Sequence, residues 1–382
     1  MQRGFGAEEG IMSSPVLVTG AFGQVGKRVT EILLSRGRTV VATDLRTGTV
    51  QATAEKIAGA SHPGTLRTTF ADLLDHEAVD ALFAEYRPGA IVHLAAMFSP
   101  ASYRNPQLAR RINVSGTENL VRGAATLPSA PLLLFASSAA VYGSRNPHRH
   151  PELITPDTPI DPIDQYGEDK ALAEALITRS GLPHALLRLG GILSPDTTAG
   201  INADHLVLIR ATPGDNRLHG VDARDVALAF ANAVDRRGDV DGKVLLIAGN
   251  DSYRHTHREV EDTMFDAMGI GRLGPSASLP GDPGDERGWA FTGWFDTTQS
   301  QALLDFQQHD WTETVTWIAE AQPRILRTAL RLTGPVMRPI LRTGLALQRR
   351  IEHRGPYADP WTLIASRYGD QALARGNEQA HH

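Results

Sequence analysis

Three side chains in the middle of the chain have the types and spacing of an acid–base centre. Tyr166 and Lys170 form a Tyr-x-x-x-Lys pattern, and on a helix this spacing puts both side chains on one face. A phenol near its usual pKa of about 10 is a poor acid–base group at neutral pH. A nearby ammonium lowers the pKa of a phenol, so we expect Lys170 to activate Tyr166. The pair predicts proton exchange with a substrate hydroxyl.

Ser138 adds a hydroxyl to this pair. It lies 28 residues before Tyr166, at the end of the apolar run Pro131–Ser138. Ligands of open α/β sheets bind outside the carboxyl ends of the strands. A serine at that place can donate to a substrate carbonyl and share its proton with the tyrosine. A serine taken singly is more often a satisfied turn hydroxyl, and the joint pattern favours catalysis.

A glycine-rich turn precedes the first helical pattern. Gly20, Gly23 and Gly26 form a G-x-x-G-x-x-G run between the apolar run Pro15–Gly20 and the helical pattern Gln24–Arg36. Glycines there allow a tight turn and a close approach of the backbone to a pyrophosphate, which the helix N-terminus then binds. A plain turn is the alternative, but the strand–turn–helix context favours a dinucleotide.

Acidic residues follow the next two apolar runs. Asp44 ends the second run, 18 residues after the last of these glycines, where a carboxylate accepts hydrogen bonds from both hydroxyls of an adenosine ribose. It would repel a 2′-phosphate, so NAD is favoured over NADP, although Arg46 could tolerate a phosphate. Asp72 and Leu73 are placed to meet the adenine. The alternative for Asp72 is an ordinary helix cap.

Seven apolar runs alternate with amphipathic stretches over the first 250 residues, and they predict the sheet that positions these groups. The runs are Pro15–Gly20, Thr39–Asp44, Leu66–Asp72, Ala90–Ala96, Pro131–Ser138, His184–Gly190 and Lys243–Gly249. They are nearly continuous in Val, Leu, Ile and Ala, as in strands buried on both faces of a parallel sheet. The helical patterns between them are Gln24–Arg36, Asp75–Tyr86, Gln107–Ala125, Asp164–Arg179 and Asp225–Asp235. This alternation predicts an α/β fold with a Rossmann-type doubly wound parallel sheet.

The remaining chain predicts a smaller C-terminal substrate domain and an Arg-rich helical tail. We expect a flexible leader at 1–14, an NAD-binding Rossmann domain at 15–250 with a substrate-domain insertion at about 191–220, a substrate-binding part at 251–322 and a basic helical extension at 323–382. Pro275–Gly288 predicts a long surface loop, and short helical patterns follow at Thr297–Leu304 and Thr312–Ala321.

The tail segment Pro323–His353 carries seven arginines and no acidic residue before Glu352. We expect Gly334-Pro335 and Pro339 to split it into at least two helices. A basic amphipathic helix can make a peripheral contact with an anionic membrane. It could equally fold over the main domain, cover the substrate cleft or pair subunits, and a packed or solvated helix is the simplest interpretation.

Composition excludes several classes of function. The 382-residue chain contains no cysteine, which excludes disulfides, thiolate nucleophiles and Cys-ligated zinc, and we assign no metal site. A formal net charge of −5 argues against nucleic acid as a partner. The first fourteen residues lack the apolar segment of a signal peptide, and no apolar run reaches the length of a spanning helix. We expect a cytoplasmic protein that acts on a small molecule.

Six ordered motifs give the chain a family resemblance. TGAFGQVG, HLAA, NVSGT, SSAAVYG, YGEDK and VDARDVA occur in this order. Over roughly residues 15 to 305 the chain resembles the extended short-chain dehydrogenases/reductases, the NAD-dependent epimerase/dehydratase superfamily. The resemblance implies NAD as cofactor, a homodimer, and catalysis by Tyr166, Lys170 and Ser138. It implies cofactor contacts from Gly20, Phe22, Gly23, Gln24, Val25, Gly26, Asp44, Arg46, Asp72, Leu73, Leu94, Ala95, Ala96, Asn113, Ser137, Tyr166, Lys170, Gly191 and Ile192.

Departures from the family pattern bear on the reaction. Sugar dehydratases of the family carry an acidic pair where this chain has Ala139-Ala140, so dehydration is not expected. The interval from Gly191 to Gly220 is short for a nucleotide-sugar epimerase, and Gly190-Gly191 replaces a familiar Asn, although Arg217 resembles an arginine of some sugar-nucleotide enzymes.

The first expectation is therefore an NAD-dependent oxidoreductase that transfers a hydride to or from an alcohol or ketone. The aromatic group Trp289, Phe291, Trp294 and Phe295 would give it a hydrophobic substrate, unless these residues form the core of the small domain. The alternatives are a nucleotide-sugar epimerase with tightly held NAD and a non-catalytic NAD-binding sensor.

Overall fold

The computed structural model describes residues 14–196, 203–290 and 293–374. Within these ranges a seven-stranded sheet has the order β3-β2-β1-β4-β5-β6-β9, and every pairing in it is parallel. The strands are β1 (Val16–Thr19), β2 (Thr39–Asp44), β3 (Thr65–Phe70), β4 (Ala90–His93), β5 (Leu132–Ser138), β6 (His184–Leu189) and β9 (Lys243–Ile247). Each coincides with a predicted run, and the Rossmann-type fold is confirmed.

Helices cover both faces of this sheet, and two separate apolar clusters fill the layers on either side of it. The helices up to residue 267 are α1 (Gly26–Ser35), α2 (Gly48–Ala58), α3 (His76–Tyr86), α4 (Ala101–Arg104), α5 (Pro106–Arg110), α6 (Gly116–Ala125), α7 (Gln165–Arg179), α8 (Ala203–Ala211), α9 (Ala223–Asp235), α10 (Arg237–Val240) and α11 (His257–Ala267). A π-helical turn, Arg111–Ser115, joins α5 to α6, within the stretch predicted as one helix.

The strand order places the predicted site at a reversal of direction. Strands β1 and β4 are neighbours at the centre of the sheet, and the chain leaves them toward opposite edges. Loops after two such strands diverge and leave a crevice, where ligands of open α/β sheets bind. The glycine run after β1 and the HLAA motif after β4 meet there.

A second, three-stranded sheet was not predicted. Strands β7 (Gly191–Leu193), β8 (Arg217–Asp222) and β10 (Arg254–Thr256) have the order β10-β8-β7. Strand β7 pairs in parallel with β8, and β10 runs antiparallel to β8. Strands of three residues are too short to show an alternating pattern in the sequence. This sheet connects the predicted insertion at 191–220 to the chain after residue 250.

The C-terminal part contains α12 (Thr298–Leu304), α13 (Trp311–Glu320), α14 (Arg324–Ile351) and α15 (Pro360–Tyr368). The prediction that Gly334-Pro335 and Pro339 break the tail is wrong, because α14 continues through both prolines. The two prolines are exposed, so water can reach the carbonyls that lose their helical donors. None of the helices in the described ranges is long and apolar enough to cross a bilayer.

Candidate active site

The glycine run makes close backbone contacts that a larger residue would prevent. Gly20 has a φ of +64°, and a Cβ atom on it would lie 2.8 Å from the Ala95 nitrogen. A Cβ atom on Gly26 would lie 2.0 Å from the Gly20 oxygen. These two glycines therefore hold the start of α1 against the ends of β1 and β4.

Gly23 differs from the other two glycines because the protein itself does not require it. It is exposed, and an added Cβ atom would touch only the Gly20 oxygen, at an ordinary 3.4 Å. No side chain caps the N-terminus of α1, and amides at such a terminus attract anions. This arrangement fits a pyrophosphate that approaches the backbone at Gly23.

We predict that Gly26→Ala lowers NAD affinity at least about tenfold and destabilises the protein by about 1–3 kcal/mol, because overpacking shifts the loop. Gly48→Ala is the matched control, since an added Cβ atom at Gly48 meets nothing within 4 Å. Isothermal titration with NAD and urea unfolding measure both effects. Equal behaviour of the two variants would show that the close contact at Gly26 is unimportant.

Asp44 lies beside the glycine run. Its carboxylate accepts hydrogen bonds from the Phe22 amide at 3.2 Å and from the Leu45 amide at 2.8 Å. Partial burial raises the pKa of Asp44 despite these two bonds, so the carboxylate gains from further donors such as ribose hydroxyls. Arg46 is exposed, with its guanidinium 4.3 Å from the centre of the Phe70 ring.

The predicted adenine contacts follow β3. Asp72 is exposed and accepts a hydrogen bond from the Leu74 amide. It does not cap the next helix, since Asp75 does so. Leu73 is buried in the layer that contains α3 and α6. The Phe22 and Val25 side chains are buried in the opposite layer, which leaves only their backbone for a cofactor.

The segment after β6 is tied to the helix that follows the glycine run. Ser194 donates a hydrogen bond to the Gln24 side chain at 3.0 Å. Asp196 forms ion pairs with Lys27 at 2.7 Å and with Arg28 at 2.9 Å. Gly191 and Ile192 were predicted to contact the cofactor, but this clasp of Ser194 and Asp196, which connects residues about 170 positions apart, was not predicted. It ties the segment after β7 to the start of α1.

Ser138 and Tyr166 come together at a tight contact between two elements. Ser138 begins a 3₁₀ turn at Ala139–Tyr142, where its hydroxyl accepts from the Ala140 amide at 3.2 Å, and it lies close enough to Tyr166 to lower the pKa of that phenol. A Cβ atom on Gly167 would lie 2.5 Å from the Ala140 oxygen, so a glycine lets the first turn of α7 approach the 3₁₀ turn. The sequence analysis did not assign Gly167, although it lies inside the YGEDK motif.

Lys170 lies one turn further along α7 and is buried. Its ammonium donates to the Ala136 oxygen at 2.6 Å and lies 5.8 Å from the centre of the Tyr166 ring. Burial raises the pKa of Tyr166, and only the hydrogen bond from Ser138 opposes it. The expectation that Lys170 lowers this pKa is therefore not met, because the ammonium is held by a backbone carbonyl and desolvation dominates.

Burial also lowers the pKa of Lys170 to about 8, below its value of about 10.5 in an unfolded chain. The folded state thus holds this proton less tightly, and the buried ammonium destabilises the fold below pH 8. This penalty fades as the pH rises from about 8 to 10.5. We expect the free energy of unfolding of Lys170→Met to exceed that of wild type by about 1–2 kcal/mol at pH 7. This gap between the two proteins should close by about pH 10. Urea unfolding at both pH values measures the gap, and a constant gap would refute the argument.

His93 is a buried part of the site that the sequence analysis did not assign. Burial, with the charge of Lys170, lowers its pKa to about 3, so the ring is neutral. The Thr117 hydroxyl donates to the Asn113 carbonyl and so accepts from Nε2 of His93. Nδ1 then accepts from the Thr19 hydroxyl, which itself accepts from the Ala95 amide. The relay fixes the Leu94–Ala96 segment beside the glycine run.

Asn113 lies in the π-helical turn and is buried. Its amide accepts from the Met97 nitrogen and donates to the Met97 oxygen and to Asp169. Burial raises the pKa of Asp169 to about 6, although hydrogen bonds from Arg110 and Asn113 oppose the rise. The Asn113 side chain is thus engaged within the protein, and its assignment as a cofactor contact stays a prediction. It positions the loop after β4.

Ser137 does not share the orientation of Ser138, because successive side chains of a strand point to opposite faces. Its hydroxyl donates to Glu174, which forms a bidentate ion pair with Arg188 at 2.7 and 3.0 Å. The assignment of Ser137 to the cofactor stays a prediction, and its hydroxyl is held by Glu174. The Glu174–Arg188 pair lies behind the site and was not predicted.

The aromatic group does not form an apolar substrate wall. Trp289 and Phe295 are buried in the protein's own core, and Trp294 stacks under Arg217 at 4.7 Å. Phe291 lies outside the described residues. Arg217 donates to the carbonyls of His150 and Pro151.

Comparison with known proteins supports this geometry. The model of the NAD dependent epimerase/dehydratase family matches residues 16–248. UDP-glucose 4-epimerase 2 of Oryza sativa subsp. japonica is 36% identical over 162 residues, which are 42% of this chain and 38% of the relative. The UDP-glucose 4-epimerase of Lactobacillus helveticus is 31% identical over 196 residues, 50% of this chain and 55% of the relative. The match thus spans only about 38% to 55% of these relatives.

Solved structures match a larger share of the chain. MoeE5 in complex with UDP-glucuronic acid and NAD is 25% identical, covers 81% of this chain and is itself 98% covered, with a TM-score of 0.62. The Thermus thermophilus UDP-glucose 4-epimerase, a complex with NAD, shares the fold at 24% identity, with coverage of 80% and 98% and a TM-score of 0.63. The chain therefore belongs to the NAD dependent epimerase/dehydratase family, a family of extended short-chain dehydrogenases/reductases whose cofactor is NAD.

Proposed function

We propose that this protein is a nucleotide-sugar epimerase that keeps NAD bound and inverts one carbinol carbon of the sugar. Tyr166 would remove the proton of the sugar hydroxyl and later return it, while Ser138 hydrogen-bonds the same oxygen. Because burial raises the pKa of Tyr166, this role needs a positive charge nearby, which the nicotinamide ring of bound NAD would supply. Bound NAD would also supply a reversible hydride acceptor, so the reaction has no net redox change. The epimerase relatives and the MoeE5 complexes with UDP-sugars support a nucleotide-sugar substrate.

The residues present fit NAD. Gly20, Gly23, Gln24 and Gly26 would receive the pyrophosphate at the start of α1, and Asp44 would hold the adenosine ribose. Leu94 to Ala96, Gly191 and Ile192 would line the cleft, and Lys170 would reach the second ribose. We further propose that 15–250 is the NAD-binding domain, that 191–220 and 251–322 bind the sugar nucleotide, and that 323–382 is an added extension.

The observation that carries the choice of an epimerase is the clasp of Ser194 and Asp196 on the glycine-run helix. Three side-chain contacts, to Gln24, Lys27 and Arg28, tie the segment after β7 to the helix that would receive the pyrophosphate. A dehydrogenase must release its cofactor in each turnover, whereas an epimerase regenerates NAD in place. A segment fastened to this helix therefore favours retention.

The case for a dehydrogenase with a hydrophobic substrate is weaker in this structure. Its main support was the aromatic group, whose Trp289 and Phe295 are core residues. The missing Asn after β6 also has a local reason, because a Cβ atom on Gly190 would lie 2.5 Å from the His219 oxygen. Packing requires a glycine there whatever the substrate.

The test is to denature the purified protein and to measure the NAD released, then to follow UDP-glucose with untreated protein by NMR. We expect about one NAD per chain and a UDP-hexose epimer without accumulation of NADH. Little retained NAD, together with net NADH formation from an alcohol, would favour the dehydrogenase. Bound NAD without turnover of any UDP-sugar would favour the sensor. If the protein binds neither NAD nor NADP, then the epimerase, the dehydrogenase and the sensor are all rejected.

A further inference from the structure

The long helix α14 turns its apolar side chains toward solvent. The side chains of Ile325, Leu332, Val336, Ile340 and Ile351 are 87%, 78%, 65%, 63% and 68% exposed. Their spacings of seven, four, four and eleven residues place them on one face of the helix. A surface helix of a soluble protein normally buries such a face, and a contiguous exposed apolar patch marks a docking surface.

Three of the seven arginines of α14 bind backbone oxygens of the protein beneath the helix. Arg327 donates to the Ala319 carbonyl at 2.9 Å, Arg342 to the Leu273 carbonyl at 2.5 Å and Arg349 to the Ser276 carbonyl at 3.0 Å. These contacts attach the helix through guanidinium groups and backbone oxygens. The usual distribution of polar and apolar side chains is therefore reversed.

A close contact also fixes the rotation of the helix. Gly334 is buried, and a Cβ atom on it would lie 2.7 Å from the Ile270 oxygen. The helix cannot turn its apolar face inward without giving up this contact. The apolar strip, about 40 Å long at 1.5 Å per residue, is thus held outward.

We propose that α14 docks this protein on an anionic lipid surface, with its apolar strip, Ile325 to Ile351, in the interface. Arg350 lies on the strip side near its end, and Arg324 and Arg331, on the adjoining side of the helix, are also exposed, so their long side chains can reach lipid phosphates. The apolar strip supplies the burial, and the arginines supply the attraction.

Charge complementarity favours lipid over a second copy of this chain. Residues 321 to 351 contain seven arginines and no aspartate or glutamate. Two such helices face to face would bring the exposed Arg324, Arg331 and Arg350 of each copy close together without a compensating acid on the helix, whereas an anionic bilayer compensates them. Because α14 does not have the composition of a spanning helix, it would lie parallel to the membrane.

The test is co-sedimentation of the full chain with vesicles of phosphatidylcholine alone and of equimolar phosphatidylcholine and phosphatidylglycerol. We expect binding to the anionic vesicles only. Leu332→Asp with Ile340→Asp should weaken it by more than about tenfold, since both side chains lose their burial. Arg324→Gln with Arg331→Gln should weaken it by about tenfold, through lost attraction to the headgroups. Ile160→Asp, which changes an exposed apolar residue outside α14, should leave binding unchanged.

The oligomeric state of each variant distinguishes lipid docking from an interface between two copies of the chain. If wild type ignores anionic vesicles, or if the Leu332→Asp/Ile340→Asp variant still binds them as wild type does, the proposal is wrong. If light scattering shows that this variant turns a dimer into a monomer, and no lipid binding is seen, the apolar strip is an interface between copies of the chain. Urea unfolding of every variant reports the folded state, so the test depends on neither retained NAD nor epimerase activity.

Discussion

Tyr166→Phe is expected to lower kcat for UDP-sugar epimerisation by about 10²- to 10⁴-fold, the usual contribution of a positioned acid–base group. The change removes only the phenolic hydroxyl, whose pKa Ser138 lowers, and keeps the ring in place. Bound NAD per chain should stay at the wild-type level, because the proposed cofactor contacts are backbone groups, Asp44 and Lys170. Quantitative NMR of the sugar nucleotide, with NAD released on denaturation, measures both quantities.

Tyr357→Phe is the matched control, because Tyr357 is 42% exposed and lies on the C-terminal extension. It should have the activity and NAD content of wild type. If Tyr166→Phe keeps most of its activity, proton transfer does not pass through Tyr166. If it loses both activity and NAD, the hydroxyl has a structural role instead.

The strands and the candidate acid–base residues could be predicted for one reason. Buried parallel strands are continuous apolar runs, and Tyr166 and Lys170 share a face because they are one helical turn apart. Both signals are local in the sequence. The three-residue strands β7 and β10 carry too few residues for such a signal. The prolines of α14 were wrongly predicted to break the helix, because the sequence does not show that they are exposed.

The groups that surround the acid–base centre could not be predicted, because their partners are distant in the sequence. His93 bonds Thr19 and Thr117, which are 74 and 24 positions away. Asp196 pairs with Lys27 and Arg28 across nearly 170 positions. The orientation of Ser137 depends on Glu174, 37 residues later. One signal was present, namely Arg188 within an otherwise apolar strand, since a buried charge requires a partner.

That buried charge gives the largest expected effect on stability. Glu174→Gln should lower the free energy of unfolding by about 3–5 kcal/mol, because it leaves Arg188 in the interior without its counter-charge. Both side chains are buried, and the carboxylate also accepts from Ser137. Asp80→Asn is the matched control, because the Asp80–Arg122 pair is about half exposed and such pairs contribute at most about 1 kcal/mol.

The double variant Glu174→Leu/Arg188→Met separates the ion pair from its desolvation. Removing both charges should lower the free energy of unfolding less than removing the carboxylate alone, since no unpaired ion remains. Urea unfolding of the three variants measures this order. The pair also joins strands β5 and β6 to helix α7, and Arg188 donates to the Tyr142 hydroxyl at 2.8 Å. If Glu174→Gln lowers the free energy of unfolding no more than Asp80→Asn does, then Arg188 must find another partner. The position of Ser138 beside Tyr166 would then not depend on the Glu174–Arg188 pair.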